Sequence, residues 1–200
     1  VQGVYLPDTD QTEFDVPWTV PVADRPNVRL VAGADFTGRR GALINRTGWQ
    51  WLSSSRVRVP GRHDDGECFV GLAYTMRYTF SEQFLKGPDG AAITTGRLQL
   101  RTWTVYYTDT AFFRTEVAPY GTDPEVEAVV PAKMADFTGR TLGDESLALG
   151  EPAFHEGSYS FQVYGNADVA TVSIINDSHL ASNFQAAEWE GFFQNRARYA

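Results

Sequence analysis

The feature that most constrains this chain is alternation with a period of two. In Tyr74-Thr75-Met76-Arg77-Tyr78-Thr79-Phe80, the large side chains of Tyr74, Met76, Tyr78 and Phe80 share one face, and Thr75, Arg77 and Thr79 share the other. Successive side chains of a strand point to opposite faces, so this pattern predicts a half-buried antiparallel strand. Arg56 to Val59 repeats it with Val57 and Val59 inward, and Ser158 to Tyr164 repeats it with Tyr159, Phe161 and Val163 inward. Ala167 to Ile175 reads as a further strand, closed by the turn formers Asn176-Asp177-Ser178. The longest candidate, Arg97 to Tyr107, changes phase. Leu98 and Leu100 set one face, and Trp103, Val105 and Tyr107 set the opposite one. A β-bulge produces such a slip; burial on both faces from Trp103 onward is the alternative.

No segment sustains the three-and-four spacing of an amphipathic helix, so little helix is expected. The best candidate follows Ser182, where Ser182-Asn183-Phe184-Gln185 fits a capping box and Gly191 a stop, for a helix of about two turns. Loops are expected at Pro60 to Gly66, Gly87 to Gly96 and Ala118 to Lys133. One hexapeptide, Ala34-Asp35-Phe36-Thr37-Gly38-Arg39, recurs identically as Ala135 to Arg140. Its flanks do not match, so it reads as two similar turns rather than a repeat period. Aromatic residues make up 14% of the chain, beside 18 Gly and 10 Pro, a mix that suits pleated sheets and tight turns. The expected fold class is therefore mainly β, with antiparallel sheets in a sandwich or barrel-like arrangement and little helix.

The formal charge of −8 opposes a domain that grips nucleic acid, because phosphate neutralisation by Lys and Arg supplies most of that affinity. It leaves open a surface that DNA slides past. Cys68 is the single cysteine, so no disulfide forms within these residues. No apolar run approaches the length of a membrane-spanning helix. Val1 is not an initiator Met, and a strand-like stretch begins almost at once, so the chain is expected to be a piece of a longer polypeptide.

Arg62-His63-Asp64-Asp65-Gly66-Glu67-Cys68 gathers metal-ligand side chains but lacks a ligand spacing, and Gly61 and Gly66 bracket it as a solvated turn. Asp8, Asp10 and Glu13 resemble part of a calcium loop without its Gly and closing Glu, which makes them a charged turn. His155 and His179 show no nucleophile partner in sequence, and paired carboxylates are uninformative without coordinates. No enzyme, metal or cofactor is expected. What the chain over-supplies is aromatic and arginine side chains, which are enriched at protein interfaces. Arg101 and Arg114 lie near Trp103, Tyr106, Phe112 and Phe113, where a core role for Trp103 is favoured. The ending "AAEWEGFFQNRARYA" carries Trp189, Phe192, Phe193, Arg196, Arg198 and Tyr199, the candidate interface. Removing residues from Glu188 onward is expected to impair assembly more than secondary structure.

Three ordered blocks, "FVGLAYTMRYTFSEQFLK", "TTGRLQLRTWTVYYTDTAFFRTEV" and "GSYSFQVYGNADVATVSIINDSHLASNFQAAEWEGFFQNRARYA", resemble the C-terminal part of the podovirus tail nozzle family, also called tail tubular protein B. The resemblance runs from about Glu67 to Ala200. It implies a subunit of a larger multi-domain protein that forms a homo-hexameric ring in a short phage tail. That ring lies below an adaptor ring, bounds the DNA-ejection channel without binding DNA specifically, and helps seat the tail fibres. It also implies a virion component assembled in the host cytoplasm, with no membrane insertion by this segment. Residues 1–60 would form a β segment of uncertain assignment, and residues 61–200 the C-terminal β domain of the nozzle. The rival readings are a phage receptor- or carbohydrate-binding module and, behind it, a tail-associated polysaccharide hydrolase.

Overall fold

The computed structural model describes residues 1–36, 39–93, 96–127, 129–140 and 151–195. It is built from antiparallel strands, with helix confined to a 3-10 turn at Arg25–Asn27 and one turn at Pro124–Glu127 among the described residues. The chain divides into two compact units that interleave in sequence. The first draws on Val1–Tyr74, Arg140–Ala153 and Asp177–Leu180, and the second on Thr75–Gly139, Phe154–Asn176 and Ala181–Ala200.

The first unit holds β1 (Gly3–Leu6), β2 (Gln11–Asp15), β3 (Val28–Ala32), β4 (Gln50–Trp51), β5 (Arg56–Pro60) and β6 (Cys68–Leu72). A four-stranded sheet has the order β1-β2-β5-β4, and β3 pairs with β6. Alternation settles the inward faces. Thr12 and Phe14 of β2, Val57 and Val59 of β5, and Val28 and Leu30 of β3 are fully buried, while Phe36, Ile44 and Cys68 complete the core. On the opposite face, cross-strand neighbours carry opposite charges: Arg58 of β5 reaches Glu13 and Arg56 reaches Asp15 of β2.

The second unit holds β7 (Met76–Thr79), β8 (Gly96–Thr110), β9 (Phe113–Ala118), β10 (Lys133–Phe137), β11 (His155–Asn166), β12 (Thr171–Asn176) and β13 (Asn183–Asn195). One sheet has the order β10-β9-β12-β7 and the other β11-β8-β13; both are open, so the sandwich alternative holds rather than a barrel. Leu98, Trp103, Val105 and Tyr107 of β8 and Phe161 and Val163 of β11 share one core with Phe113 and Val117 of β9 and Val172 and Ile174 of β12. Burying that apolar face of each sheet is the main drive for stacking them.

The phase change in β8 is a bulge. Thr102 pairs with Glu190 and Leu100 with Gly191, which leaves Arg101 as the extra residue on β8. Burial on both faces does not occur, since Tyr106 on the outer face is exposed. Tyr74 and Tyr78 also depart from expectation, at 79% and 58% exposed: Tyr74 lies before β7 begins, and Tyr78 sits on an edge strand whose one partner among the described residues is β12. Phe80, of the same parity, does reach the core and packs 4.7 Å from Trp103. The repeated hexapeptide takes two conformations. Phe36 is buried within a turn, whereas Asp136 and Phe137 end strand β10, with Phe137 stacked on Phe113 at 4.7 Å.

Candidate functional site

The helix expected after Ser182 is instead the 13-residue strand β13, paired with β8 along its whole length. The capping box has no role here, because Asn183 donates its backbone N–H to Thr110 Oγ1 of the neighbouring strand at 2.9 Å. A sheet partner is already present, and each ladder bond and each inward aromatic favours the extended form.

β13 sorts its aromatics by parity. Trp189 lies directly opposite Trp103, and Phe193 opposite Leu98; both side chains are half-buried against the core of their own unit. Phe192 points the other way, 59% exposed, with the Arg101 guanidinium over its ring at 5.8 Å from the centroid. Gly191 sits between the two inward aromatics because a Cβ there would lie 2.6 Å from the Gln99 carbonyl oxygen. Of the candidate interface residues, Trp189, Phe192 and Phe193 are thus placed, whereas Arg196, Arg198 and Tyr199 lie outside the described residues.

The outer face of the β11-β8-β13 sheet was not legible as a unit in the sequence. Register aligns Ser158, Tyr106 and Ala186 in one row, Ser160, Thr104 and Glu188 in the next, and Gln162, Thr102 and Glu190 in a third. Hydroxyls dominate it: Thr104 Oγ1 and Ser160 Oγ lie 2.8 Å apart, and the Tyr106 hydroxyl donates to Glu188 at 2.5 Å. That hydrogen bond to a carboxylate raises the Tyr106 phenol above its ordinary value. Spotting these rows required the register, which the bulges at Arg101 and Gln185 conceal.

The other sequence candidates are tied into local structure. Arg62 holds Asp64 at 2.7 Å and Arg39 holds Asp65 at 3.0 Å, while His63 Nε2 lies 3.1 Å from the Pro60 carbonyl. Burial lowers the His63 pKa and pushes the Cys68 thiol up to about 11. Asp10 closes the turn between β1 and β2 by accepting the Tyr5 hydroxyl at 2.8 Å. His179 Nε2 lies 2.8 Å from the Gly41 carbonyl. Arg114 is paired with Asp136 at 2.6 Å, and Arg77 with Glu116 at 2.5 Å. Among the described residues, no group of three His, Cys, Asp or Glu side chains converges as a metal site. No helix among them is long and apolar enough to cross a membrane.

Comparison of the sequence with protein families supplies what the geometry leaves open. The model of the bacteriophage nozzle protein family matches residues 1–200. No significant match was found among curated proteins. The chain belongs to the bacteriophage nozzle protein family and is a structural component of a phage tail.

Proposed function

We propose, from that family membership, that the chain forms part of a homo-hexameric nozzle ring that bounds the DNA-ejection channel and contacts the tail adaptor ring and the tail fibres. The observation that carries this reading is the family match across residues 1–200. The ring would be a virion component assembled in the host cytoplasm, with a mechanical rather than catalytic task.

Charge supports the conduit. A wall past which DNA must move gains nothing from phosphate contacts, each of which adds affinity and acts as a brake. The net charge is −8, and the outer rows of the β11-β8-β13 sheet from Thr102 to Tyr106 are built of hydroxyls, an amide and carboxylates rather than Lys or Arg. Such a surface offers DNA hydrogen-bonding groups that water satisfies equally well, and carboxylates that repel it.

Electron microscopy of the purified full-length protein and of assembled tails tests the reading. The expected result is six-fold rings with an open lumen; trimers, or a monomer that never enters the tail, would overturn it. Weak, salt-sensitive binding of duplex DNA is expected alongside. Tight binding at physiological salt would contradict a passive channel wall.

A further inference from the structure

The β11-β8-β13 sheet ends in two long strands, on whose outer sides no further strand pairs among the described residues. β13 is 13 residues long and β11 is 12, and each pairs only with β8. At about 3.3 Å per residue, each edge extends roughly 40 Å. Along it, alternate N–H and C=O groups point away from β8, and among the described residues no backbone group of another strand meets them. Natural edge strands are normally short, or carry Pro or Lys that blocks further pairing. The β13 sequence NFQAAEWEGFFQN contains neither, and ten of its 13 positions are exposed, with only Phe184, Trp189 and Phe193 half-buried.

We propose that the free edge of β13 pairs with the free edge of β11 of a second copy of this chain, so that the three-stranded sheet continues from subunit to subunit. The inference rests on the ring reading. Three observations select this occupant. The two edges match in length, so neither leaves a long unpaired overhang. β11 and β13 both run antiparallel to β8 and therefore parallel to each other. Rotation about an axis near the strand direction thus brings β13 of one copy beside β11 of the next in the same sense, a head-to-tail contact that a ring can close. Charge then separates this contact from its competitor. Two β13 edges meeting about a two-fold axis near Trp189 would set Glu188 and Glu190 of one copy against Glu190 and Glu188 of the other, and like charges directly opposite are destabilising. Against β11, the same carboxylates meet Ser158, Ser160 and Gln162, which are neutral and can donate hydrogen bonds. Phe192 on the exposed face of β13 and Tyr164 on that of β11, 59% and 52% exposed, are available to flank the seam.

Cysteine pairing in the full-length protein tests the seam. Single cysteines are placed at Ala186, Glu188 or Glu190 and combined with single cysteines at Ser158, Ser160 or Gln162, all outward-facing; folding is checked by circular dichroism. The buried native Cys68, its thiol pushed up to about 11, does not compete. Under mild oxidation, at least one combination should convert most of the assembled protein to a ladder of covalent oligomers reaching the ring size, while each single variant stays uncrosslinked. Rings that form normally without any β11–β13 crosslink, or that crosslink through β13 cysteines alone, overturn the seam and leave the ring reading standing. An unmodified protein that remains monomeric overturns both.

Discussion

Replacing Trp189 and Phe192 separately by Ala asks whether the terminal strand belongs to the core of its unit. The two residues are three apart on one strand and of similar chemistry, but the structure gives them opposite surroundings. Trp189 packs half-buried against the core and stands opposite Trp103, which is 2% exposed, whereas Phe192 is 59% exposed. Deleting a fully buried Trp or Phe costs roughly 3–5 kcal/mol through lost transfer energy and the cavity left behind. For a half-buried side chain about half applies, so Trp189→Ala is expected to cost ~2 kcal/mol, and Phe192→Ala less than about 1 kcal/mol. In a unit of this size ~2 kcal/mol lowers the midpoint by roughly 10 °C. Thermal unfolding followed by far-UV circular dichroism, over a range of protein concentrations to separate assembly-linked stabilisation, measures both. With two compact units, only the transition of the second should move. An equal or larger loss for Phe192→Ala at the lowest concentration, or no loss for Trp189→Ala, would refute the assignment of inward and outward faces.

Gly191→Ala should destabilise the same unit by ~1–3 kcal/mol in urea unfolding, because the new Cβ meets the Gln99 carbonyl and the Leu100 backbone, which yield only if the strands shift. Absorbance titration of the phenols should show Tyr106 ionising late, and Glu188→Gln should bring it back toward the ordinary range. Because its folded-state pKa is raised, this pair supports the fold below the free phenol's range and loses that support as pH rises through the folded value. At pH 8 Cys68 should react with a thiol reagent only slowly in the native protein and at once in denaturant, since burial holds its pKa near 11.

Strands with unbroken alternation were legible from the sequence: Val57 and Val59 of β5, and Phe161 and Val163 of β11, all face the core. Alternation identifies residues that share a face without saying that another layer covers it, which is why Tyr78 misleads, and it does not mark where a strand starts, which is why Tyr74, before β7, misleads too. β13 was misread for a different reason. Its ladder with β8 slips at Gln185, and Gly191 occupies the inward position between Trp189 and Phe193. Ser182-Asn183-Phe184-Gln185 imitates a capping box, and Gly191 looks like a helix stop although close approach to β8 requires it. The duplicated hexapeptide shows the same limit at shorter range. Identical residues end a strand in one place and make a turn in the other, because β10 has β9 to pair with.

The ending of the chain thus carries two demands that a strand can meet together. Inward parity gives Trp189 and Phe193 to the core, and outward parity gives Glu188, Glu190 and Phe192 to the surface, while one backbone edge pairs with β8 and the other meets no strand among the described residues. Truncation from Glu188 onward cannot separate these demands. It would strip β8 of its partner from Thr104 to Gly96 and open the core beneath Trp103 and Leu98, so the unit itself would be weakened along with any contact between subunits. Loss of rings after such a truncation would follow from either cause. A crosslink across the open edge leaves the inward residues in place, and so reads the contact between subunits independently of the fold that presents it.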